Sequence, residues 1–471
     1  MGGEVRIVVK PSEPHLGNRR VTVQRTALMP SNDFEFWSVQ ARLSGVVHCR
    51  ESQMDWKNYS LSTLVTGALT GHKNWQAAWR SPAPKRHYDV VIIGGGGHGL
   101  ATAYYLAKEH GVTNVAVIEK GWIGGGNTGR NTTNVRSDYM FPESAALYDL
   151  ALRLYEGLSK DVNFNIMLSQ RGWVTLIHNQ HQMESAHHKA NWLRCNGVDG
   201  EIIDRAVVKE MMPHMNMDAN PRHPVLGAFL QRRGGTIRHD AVAWGYARAA
   251  DRLGVDIIQN CEVKEFVKTG GKITEIVTTQ GRIACDRVGM AVAGHSSVVA
   301  NLAGFRLPVT SRPLQAMVSE PIKPLLDHVV ISPGTGVYIN QTQKGELVMG
   351  GVLDLYHSYA QRGNFPTIEK VVTAAVEMFP IFAQLRLMRH WAGIVDIVPD
   401  SSPILGPTPV ENMFINCGWG TGGFKAIPAG GLLLAHSLGT GRTHPLAEKF
   451  GLDRFRSNRL VDEGAAAGIA H

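Results

Sequence analysis

The chain has 471 residues, 44% of them apolar, and a formal net charge of +8. Such a composition is ordinary for a globular protein, and the length allows one large domain or two intertwined domains. No run of about 18 apolar residues occurs, so no transmembrane helix is predicted. The five cysteines lack C-x-x-C spacing, which argues against a disulfide framework or a metal site. We therefore expect a protein of a reducing compartment, the cytoplasm, that binds no metal and enters no membrane.

The first 86 residues differ in composition from the rest. Residues 1–53 show no helical or strand periodicity and no apolar signal segment, so we expect them to be disordered or a spurious extension. Residues 54–86 combine five Lys and Arg with a single acid and several aromatics, and residues 60–68 predict a short helix. No nucleic-acid-binding motif accompanies this charge. We interpret the stretch as a basic aromatic arm and linker that docks onto a partner or onto the chain's own body.

A strand–turn–helix–strand unit follows the arm. Residues 90–93 form an apolar β-branched run, as in strands that are buried on both faces. Residues 100–110 carry apolar side chains on one helical face, and residues 115–118 predict a second buried strand. Between the first strand and the helix, residues 94–99 read G-x-G-x-x-G. This context predicts a dinucleotide site rather than an isolated glycine turn.

The residues of this motif have separate physical roles. Gly94 allows the tight turn, Gly96 lets a pyrophosphate approach the backbone, and Gly99 lets the helix and the strand pack closely. Glu119 lies about 20 residues beyond the last glycine, where an acid binds ribose hydroxyls. An acid at this point argues against a 2′-phosphate, so the unit predicts FAD or NAD and not NADP.

Two further glycine-rich stretches follow. Residues 121–136 mix glycines with Asn, Thr and Arg, so the backbone can approach a cofactor and the side chains can donate hydrogen bonds to it. A long surface loop is the alternative, but the place of this stretch directly after the nucleotide unit favours a cofactor role. Residues 418–425 form the other stretch, after a final predicted strand at 413–416.

Helical and strand patterns alternate through the rest of the chain. Helices are predicted at 142–160, 181–196, 238–253, 368–379 and 428–438. Strands are predicted at 172–177, 225–229, 255–258, 272–278, 281–283, 287–293, 309–312, 315–318, 336–339 and 346–350. Elements of the nucleotide domain resume after an insertion of about a hundred residues, so the pattern predicts two interleaved domains.

These residues resemble the FAD-dependent amine oxidases, the family of D-amino-acid oxidase, glycine oxidase and monomeric sarcosine oxidase. The resemblance rests on the unit at 88–119, the strand and loop at 287–297, and the loops at 396–406 and 418–425. Within the family, the chain is similar to the beta subunits of heterotetrameric sarcosine oxidases. That similarity is clearest over residues 94–108, 130–133, 239–244, 254–263, 345–350 and 416–425, and it leaves residues 1–53 outside.

The resemblance implies an α/β architecture, with a Rossmann-like FAD-binding domain interleaved with an α+β substrate domain that contains a mostly antiparallel sheet. The expected bounds are 87–140, 231–304 and 389–445 for the FAD-binding domain, 141–230 and 305–388 for the substrate domain, and 446–471 for a C-terminal tail. It also implies a complex with alpha, gamma and delta subunits, in which the alpha subunit meets this chain around FMN. The NAD, zinc and folate sites of those partners are not expected in this chain.

The implied activity is the oxidation of sarcosine, N-methylglycine, to glycine. In the family, non-covalent FAD takes a hydride equivalent from the N-methyl carbon, and covalent FMN passes the electrons to oxygen, which gives hydrogen peroxide. The methyl carbon leaves as formaldehyde or as 5,10-methylenetetrahydrofolate.

The resemblance also implies roles for single residues. Arg136 and Lys425 match the positions that bind the substrate carboxylate, with phosphate or surface contact as the alternative. Tyr338 is a weaker candidate for lining the amine pocket, since it could equally be an ordinary strand aromatic. The expected FAD contacts are Gly94, Gly96, Gly97, His98, Gly99, Glu119, Asn127, Arg130, Thr133, Val263, Thr421, Gly422 and Lys425, and the expected FMN residues are His239 as covalent anchor with Arg238 and Arg389 at the phosphate.

Two other interpretations remain open at this point. One is a single-flavin oxidase or dehydrogenase of another amino acid, of the D-amino-acid, glycine or proline type. The other is a non-catalytic scaffold subunit, against which the presence of Glu119, Arg136 and Lys425 argues. Asn134 departs from the apolar residue expected in close relatives, so the preference for sarcosine over other N-methyl amino acids is an open question.

Overall fold

The computed structural model describes residues 61–71, 73, 77–218 and 222–461. The expectations for residues 1–53 and the start of the arm lie outside the described residues. The chain divides into two compact units, residues 1–75 and 76–471. In the first unit the described residues form helix α1, which begins and ends one residue later than predicted. The second unit holds all of the other elements.

Helices and strands of the described residues alternate along the chain. The helices are α1 (Leu61–Leu69), α2 (Gly97–His110), α3 (Pro142–Asp161), α4 (Gln180–Cys195), α5 (Arg205–Met211), α6 (His239–Arg252), α7 (Ser296–Leu302), α8 (Phe365–Met378), α9 (Ile427–Thr440) and α10 (Arg454–Ser457). The strands are β1 (His87–Ile93), β2 (Val115–Ile118), β3 (Asn134–Val135), β4 (Trp173–Ile177), β5 (Glu201–Asp204), β6 (Gly227–Gln231), β7 (Gly235–Thr236), β8 (Asp256–Ile258), β9 (Val263–Thr269), β10 (Lys272–Thr278), β11 (Gly281–Met290), β12 (Thr310–Pro321), β13 (Val329–Ser332), β14 (Val337–Gln341), β15 (Glu346–Leu353), β16 (Leu387–Ile397), β17 (Ile404–Pro407) and β18 (Met413–Cys417).

The first sheet has the order β17-β18-β11-β1-β2-β8, and β9 and β10 extend it through β11. Its five strands from β18 to β8 run parallel. The apolar runs of β1 and β2 are buried on both faces, as parallel strands require. Helices α2, α6 and α9 pack on one face, while the other face packs against α7 and the β9–β10 hairpin. This is the predicted Rossmann-like layer.

The second sheet has the order β16-β12-β15-β14-β13-β4-β6-β5. Its pairs are antiparallel except for the parallel pair of β13 with β4. Helices α5 and α8 pack against one face of this sheet. On the other face Trp173, Ile331 and Tyr338 form a separate apolar cluster. The prediction of a Rossmann-like layer combined with a mostly antiparallel sheet is therefore confirmed.

Strands β5, β13, β16 and β17 were not predicted, and β11 and β12 differ from their predicted form. Strand β11 is continuous, whereas the sequence predicted two segments around Asp286; its first residues pair with β10 and its last with β1. Strand β12 is also continuous, although Pro313 and Leu314 suggested a break. Pro313, which has no amide hydrogen to donate, lies next to a register shift against β15, where proline is tolerated, and its carbonyl accepts from the amide of Asp354 at 2.9 Å. In both cases pairing with two neighbours overrides a local interruption.

The described end of the basic arm, residues 77–86, lies on the chain's own body. Trp79 packs against the core beside α2 and α6. Arg80 pairs with Asp251 at 2.8 Å, and Lys85 pairs with the buried Asp256 at 2.8 Å. Part of the basic charge of residues 77–86 is thus used in ion pairs within the second unit.

Candidate active site

A cavity of about 570 Å³ lies between the two sheets. One wall consists of the carboxyl ends of β1 and β2 and the glycine-rich turns that follow them. The opposite wall is built by β4, β12, β13 and β14, whose lining side chains are Trp173, Leu314, Ala316, Ile331 and Tyr338. Ligands of open parallel sheets bind at the carboxyl ends of the strands. A nucleotide in this cavity would therefore lie against the first sheet, and the reactive end of that nucleotide would face the second sheet.

The G-x-G-x-x-G turn forms the nucleotide wall. Gly94, Gly96 and Gly97 line the cavity. Gly94 has a φ of 110°, a conformation that side chains disfavour. Gly99 lies behind these residues, where a Cβ would overlap the carbonyl oxygen of Gly94. The turn thus shows the tight bend and the close helix–strand packing that the spacing predicts.

Glu119 ends β2 at the edge of this wall. Its Oε2 accepts a hydrogen bond from the amide of Gly95 at 2.8 Å, and its Oε1 accepts from the amide of Gly121 at 2.9 Å. The carboxylate is therefore held between the two glycine-rich turns. Glu119 and Val263, at the start of β9, both line the cavity.

The second glycine-rich loop connects the two sheets. Asn127 lines the cavity, but its Oδ1 accepts from the amide of Ile394 at 2.7 Å and its Nδ2 donates to the carbonyl of Ile394. Arg130 also lines the cavity, and its buried Nε has no hydrogen-bond partner among the described residues. Thr133 lies next to the lining residues and has a φ of 67°, an outlier for a β-branched residue. Arg130 thus has donor capacity left for a ligand, whereas the amide of Asn127 is already used.

His98 joins the start of α2 to the last glycine-rich loop. Its Nε2 donates to the carbonyl of Gly423 at 2.8 Å, and its Nδ1 accepts from Asn416 Nδ2 at 3.3 Å. The ring stacks on Trp419 with 4.9 Å between centroids. Burial lowers the pKa of His98 to about 4, although the Gly423 carbonyl opposes that shift. His98 is therefore a neutral ring that lines the cavity and fixes this loop.

Arg136 is the central residue of a buried ionic group. It is 3% exposed and pairs with Asp138, which is fully buried and also pairs with Lys189 of α4. The guanidinium lies 4.7 Å from the ring centroid of Tyr139 and 5.2 Å from that of Trp173. Burial by itself would lower the pKa of Arg136, but Asp138 outweighs burial and holds that pKa above its usual value. Arg136 is thus a fixed cation in the wall of the cavity.

Lys425 also lines the cavity, at the end of the last glycine-rich loop. Its Nζ donates to the carbonyl of Thr421 at 2.9 Å. Burial, helped by the nearby Arg136 cation, lowers the pKa of Lys425 to about 7. Thr421 is another lining residue, whereas Gly422 packs against Tyr148, whose hydroxyl a Cβ at Gly422 would overlap. The structure therefore brings Lys425 and Arg136 to the same cavity, as the resemblance implies.

Tyr338 belongs to a polar network in the opposite wall. Its hydroxyl accepts from Thr132 Oγ1 at 2.9 Å, and burial raises its pKa to about 12 despite that hydrogen bond. The Nδ2 of Asn340 donates to Asn134 Oδ1 at 2.8 Å and to the carbonyl of Thr132 at 3.1 Å. Tyr338 is therefore a neutral phenol. The unusual Asn134 lines the cavity, and its amide oxygen is bonded to Asn340.

Three residues of this site were not predicted from the sequence. Asp138 and Lys189 complete the ionic group around Arg136. Asp396 lines the cavity at the end of β16 and accepts from the amide of Gly418. Burial raises the pKa of Asp396 to about 6, against the effect of backbone hydrogen bonds. Asp138 could have been predicted as the partner of Arg136, because it lies only two residues further along the chain. Nothing in the sequence around Lys189 indicates a role in this site, since Lys189 is one of many polar residues on α4.

The residues expected to hold FMN lie outside the set that lines this cavity. His239 begins α6, and its buried Nδ1 has no hydrogen-bond partner among the described residues. Burial and the neighbouring Arg238 lower the pKa of His239, although Asp240 opposes them. Arg238 is paired with Asp240 through two hydrogen bonds of 2.7 and 2.8 Å. Arg389 is exposed on β16 and has no ion pair within the described part of the chain.

A family model described as FAD dependent oxidoreductase matches residues 89–437. The chain belongs to this family of FAD-dependent oxidoreductases. The residues present fit the cofactor: the glycine turn leaves space at the backbone, Glu119 stands at the end of β2, and Arg130 has a buried donor without a partner among the described residues. FAD is therefore the cofactor of this cavity. Among the described residues, no helix is both long and apolar enough to cross a membrane.

More specific similarity comes from curated relatives. Sarcosine oxidase subunit beta of Rhodobacter capsulatus is 50% identical over 415 residues, which cover 88% of this chain and 100% of that protein. The protein of the same name from an Arthrobacter species is 51% identical over 393 residues, 83% of this chain and 97% of that one. The resemblance to these beta subunits that the motifs indicated is thus confirmed.

Solved structures share the architecture. L-Proline dehydrogenase from P. horikoshii matches with a TM-score of 0.75 and 25% identity, covering 80% of this chain and 100% of that one. Glycine oxidase from Geobacillus kaustophilus matches with a TM-score of 0.70 and 22% identity, covering 79% and 99%. The second match concerns the fold alone.

Proposed function

We propose that this chain is the flavin-bearing catalytic subunit of a sarcosine oxidase, which oxidises N-methylglycine to glycine. The observation that carries the proposal is that Arg136 and Lys425, two basic residues, line the same cavity as the glycine turn of the nucleotide wall. A carboxylate ligand would satisfy both, because Arg offers a planar fork and Lys a point charge. About 50% identity to proteins named sarcosine oxidase subunit beta supports this assignment.

The residues of the chain hold and orient the substrate. Asp138 fixes the guanidinium of Arg136, and the rings of Tyr139 and Trp173 flank it, so its donors have one orientation. A carboxylate bound there and at Lys425 leaves the N-methyl group as the part free to reach the flavin. Tyr338 stays protonated and offers a hydroxyl to the amine side. When bound, FAD supplies the oxidant that accepts a hydride equivalent from the N-methyl carbon.

We assign FAD contacts to the residues that the resemblance implies. The amides at Gly96 and Gly97 and the start of α2 would bind the pyrophosphate, since a helix N-terminus favours an anion. Glu119 would accept hydrogen bonds from ribose hydroxyls in addition to those from the amides of Gly95 and Gly121, since a carboxylate has about four acceptor sites. Arg130 and Thr421 would contact the flavin part.

We also assign a covalent FMN to His239. Its support is chemical: His239 is a neutral imidazole whose buried Nδ1 has no hydrogen-bond partner among the described residues, so that nitrogen would be available as the point of attachment for the flavin. The residues expected at the FMN phosphate fit less well. Two donors of the Arg238 guanidinium are already bonded to Asp240, and Arg389 is exposed. When bound, FMN would pass electrons on to oxygen, giving hydrogen peroxide.

The name shared by the curated relatives describes a subunit, which supports a multi-subunit enzyme. We assign this chain to a complex with alpha, gamma and delta subunits, with the alpha subunit near FMN. Release of the methyl carbon as formaldehyde, or its transfer to tetrahydrofolate, would then take place with those partners.

The test compares two substrates on the assembled enzyme. Lys425→Met should raise the KM for sarcosine, or lower kcat/KM, by at least about tenfold, since a charge-assisted hydrogen bond contributes about 1.5–3 kcal/mol. N-Methylethylamine, which lacks the carboxylate, should lose less, since the carboxylate contact contributes nothing to its binding. Equal losses for both amines would show that Lys425 acts on a group that the two substrates share and not on the carboxylate. Failure of sarcosine to bleach the wild-type flavin under anaerobic conditions would reject the proposed function.

A single-flavin amino-acid dehydrogenase is the second candidate. The observation in its favour is the match to L-proline dehydrogenase from P. horikoshii, together with the incomplete phosphate site at His239. Acid precipitation distinguishes the two, because only a covalent flavin stays with the protein.

A further inference from the structure

Lys425 has an unusual environment for a lysine. Its Nζ makes a single hydrogen bond, to the carbonyl of Thr421, and has no ion pair among the described residues. An ammonium group carries three donors, so two of them would lack a protein partner here. Its positive charge would also be repelled by the nearby Arg136 cation. A neutral amine needs less: it can donate to Thr421 and direct its lone pair into the cavity. The surroundings therefore favour the neutral amine in the substrate-free site.

Arg136 and Asp138, after β3, are the charged groups that act on Lys425. Other titratable groups line the same cavity or belong to the ionic group of Arg136; they are Lys189 on α4, Tyr338 on β14, Asp396 on β16 and His98 on α2. Asp138 is held between two cations, and both ring nitrogens of His98 are hydrogen-bonded. Tyr338 keeps its proton, and Asp396 is bonded to the amide of Gly418. Lys425 is thus the available proton acceptor beside Arg136.

We propose that Lys425 accepts the ammonium proton of the incoming N-methyl amino acid and then pairs, as an ammonium, with the substrate carboxylate. This inference rests on the proposed function. The N–H bond of the substrate breaks, its electron pair stays on the substrate nitrogen, and the proton joins the lone pair of Lys425 Nζ. Only the free amine has the electron pair that forms the C=N bond during oxidation.

The direction of the transfer follows from charge. An alkylammonium in water holds its proton up to a pH of about 10, as a free lysine does. In the cavity Arg136 and burial weaken that hold, while the arriving carboxylate strengthens the proton affinity of Lys425. A zwitterionic substrate therefore brings its own proton, and no proton need be exchanged with solvent. A carboxylate ligand without an ammonium must take that proton from the solvent.

The first experiment measures proton uptake without turnover. The assembled, flavin-loaded enzyme is mixed with methylthioacetate, a carboxylate in which sulfur replaces the amine, in weakly buffered indicator solution at about pH 8. We expect close to one proton per site to be taken from the solvent, and none with Lys425→Met. Lys160→Arg, on the exposed end of α3, is the matched control and should behave as the wild type. Binding of methylthioacetate to the wild type without proton uptake would overturn the inference.

The second experiment follows anaerobic bleaching of the flavin by sarcosine as a function of pH. Lys425→Arg keeps a cation for the carboxylate but stays protonated, since the pKa of arginine exceeds about 12. Its kcat/KM for bleaching should fall about tenfold for each pH unit below about 10, while the wild type stays nearly flat to about pH 7. A wild-type profile in Lys425→Arg would refute the role of Lys425. Absence of bleaching in the wild type at any pH would instead reject the proposed function, and the proton measurement would still stand.

Discussion

Replacing Gly99 by alanine is expected to remove FAD from the chain. A Cβ at Gly99 would overlap the carbonyl oxygen of Gly94 and lie 3.1 Å from its carbonyl carbon. Both atoms belong to the backbone, so no side-chain rotation relieves the overlap, and α2 must move away from the end of β1. Overpacking of this kind costs about 1–3 kcal/mol or more. The displaced helix start would no longer meet the pyrophosphate, so FAD affinity should fall at least about tenfold.

Two variants serve as controls for this prediction. A Cβ at Gly97 would instead overlap the side chain of Ile427, so Gly97→Ala should be rescued by the second change Ile427→Ala. A Cβ at the exposed Gly157 of α3 would have only Asp161 Oδ2 near it, at 4.0 Å, and Gly157 lies outside the cavity lining, so Gly157→Ala should bind FAD normally. The assay is the FAD-to-protein ratio after gel filtration, followed by the dissociation constant from flavin fluorescence. Binding by Gly99→Ala within about twofold of the wild type would refute the steric argument.

Three further outcomes are expected. Glu119→Ala leaves the amides of Gly95 and Gly121 unpaired and removes the ribose acceptor, which should cost about 1–3 kcal/mol of FAD binding free energy. FAD affinity, measured as retention on dialysis, should therefore fall about ten- to a hundredfold, and unchanged retention would reject the assignment. His239→Ala should abolish acid-stable flavin and leave FAD bound, and an unmodified tryptic peptide containing His239 from active wild-type enzyme would rule out the link. Arg454→Met leaves the buried carboxylate of Asp400 without its two hydrogen bonds of 2.7 and 2.9 Å from that guanidinium, which costs about 3–5 kcal/mol. Its Tm should fall by about 3–5 °C, with partial recovery when Asp400→Asn is added, and a Tm equal to that of the wild type would contradict this estimate.

The nucleotide wall could be predicted because its signals are local. The turn at 94–99 needs glycine for reasons that act within a few residues, and Glu119 follows a strand at a defined distance. Helices α2, α3, α6 and α9 likewise begin and end within a few residues of their predicted bounds. Short-range periodicity and turn chemistry are sufficient for these elements.

The substrate wall could be predicted only in part, because its contacts join distant segments. Strand β16, which provides Asp396 and Ile394, starts with three exposed residues and lies at a sheet edge, so its pattern is weak. The pairing of Lys189 with Asp138 depends on the docking of α4 against a loop about fifty residues away. Arg136 and Lys425 were found by resemblance, but their environments could not be predicted from the sequence. Arg136 forms an ion pair with Asp138, whereas Lys425 makes one hydrogen bond, to the carbonyl of Thr421.

The bonds between Asn127 and Ile394 have a consequence for assembly. The side-chain amide of Asn127 donates to and accepts from one residue of β16, as a neighbouring strand would, and Trp391 adds a bond to the carbonyl of Arg130. The loop at 121–136 thereby extends the hydrogen bonding of the second sheet beyond its edge strand, β16. These bonds join the loop to β16 beside the cavity, so we expect a long dinucleotide to enter before they form or only after they open. Flavin capture and sheet docking then belong to one cooperative event, so FAD added after folding should enter slowly, at the rate at which this edge opens.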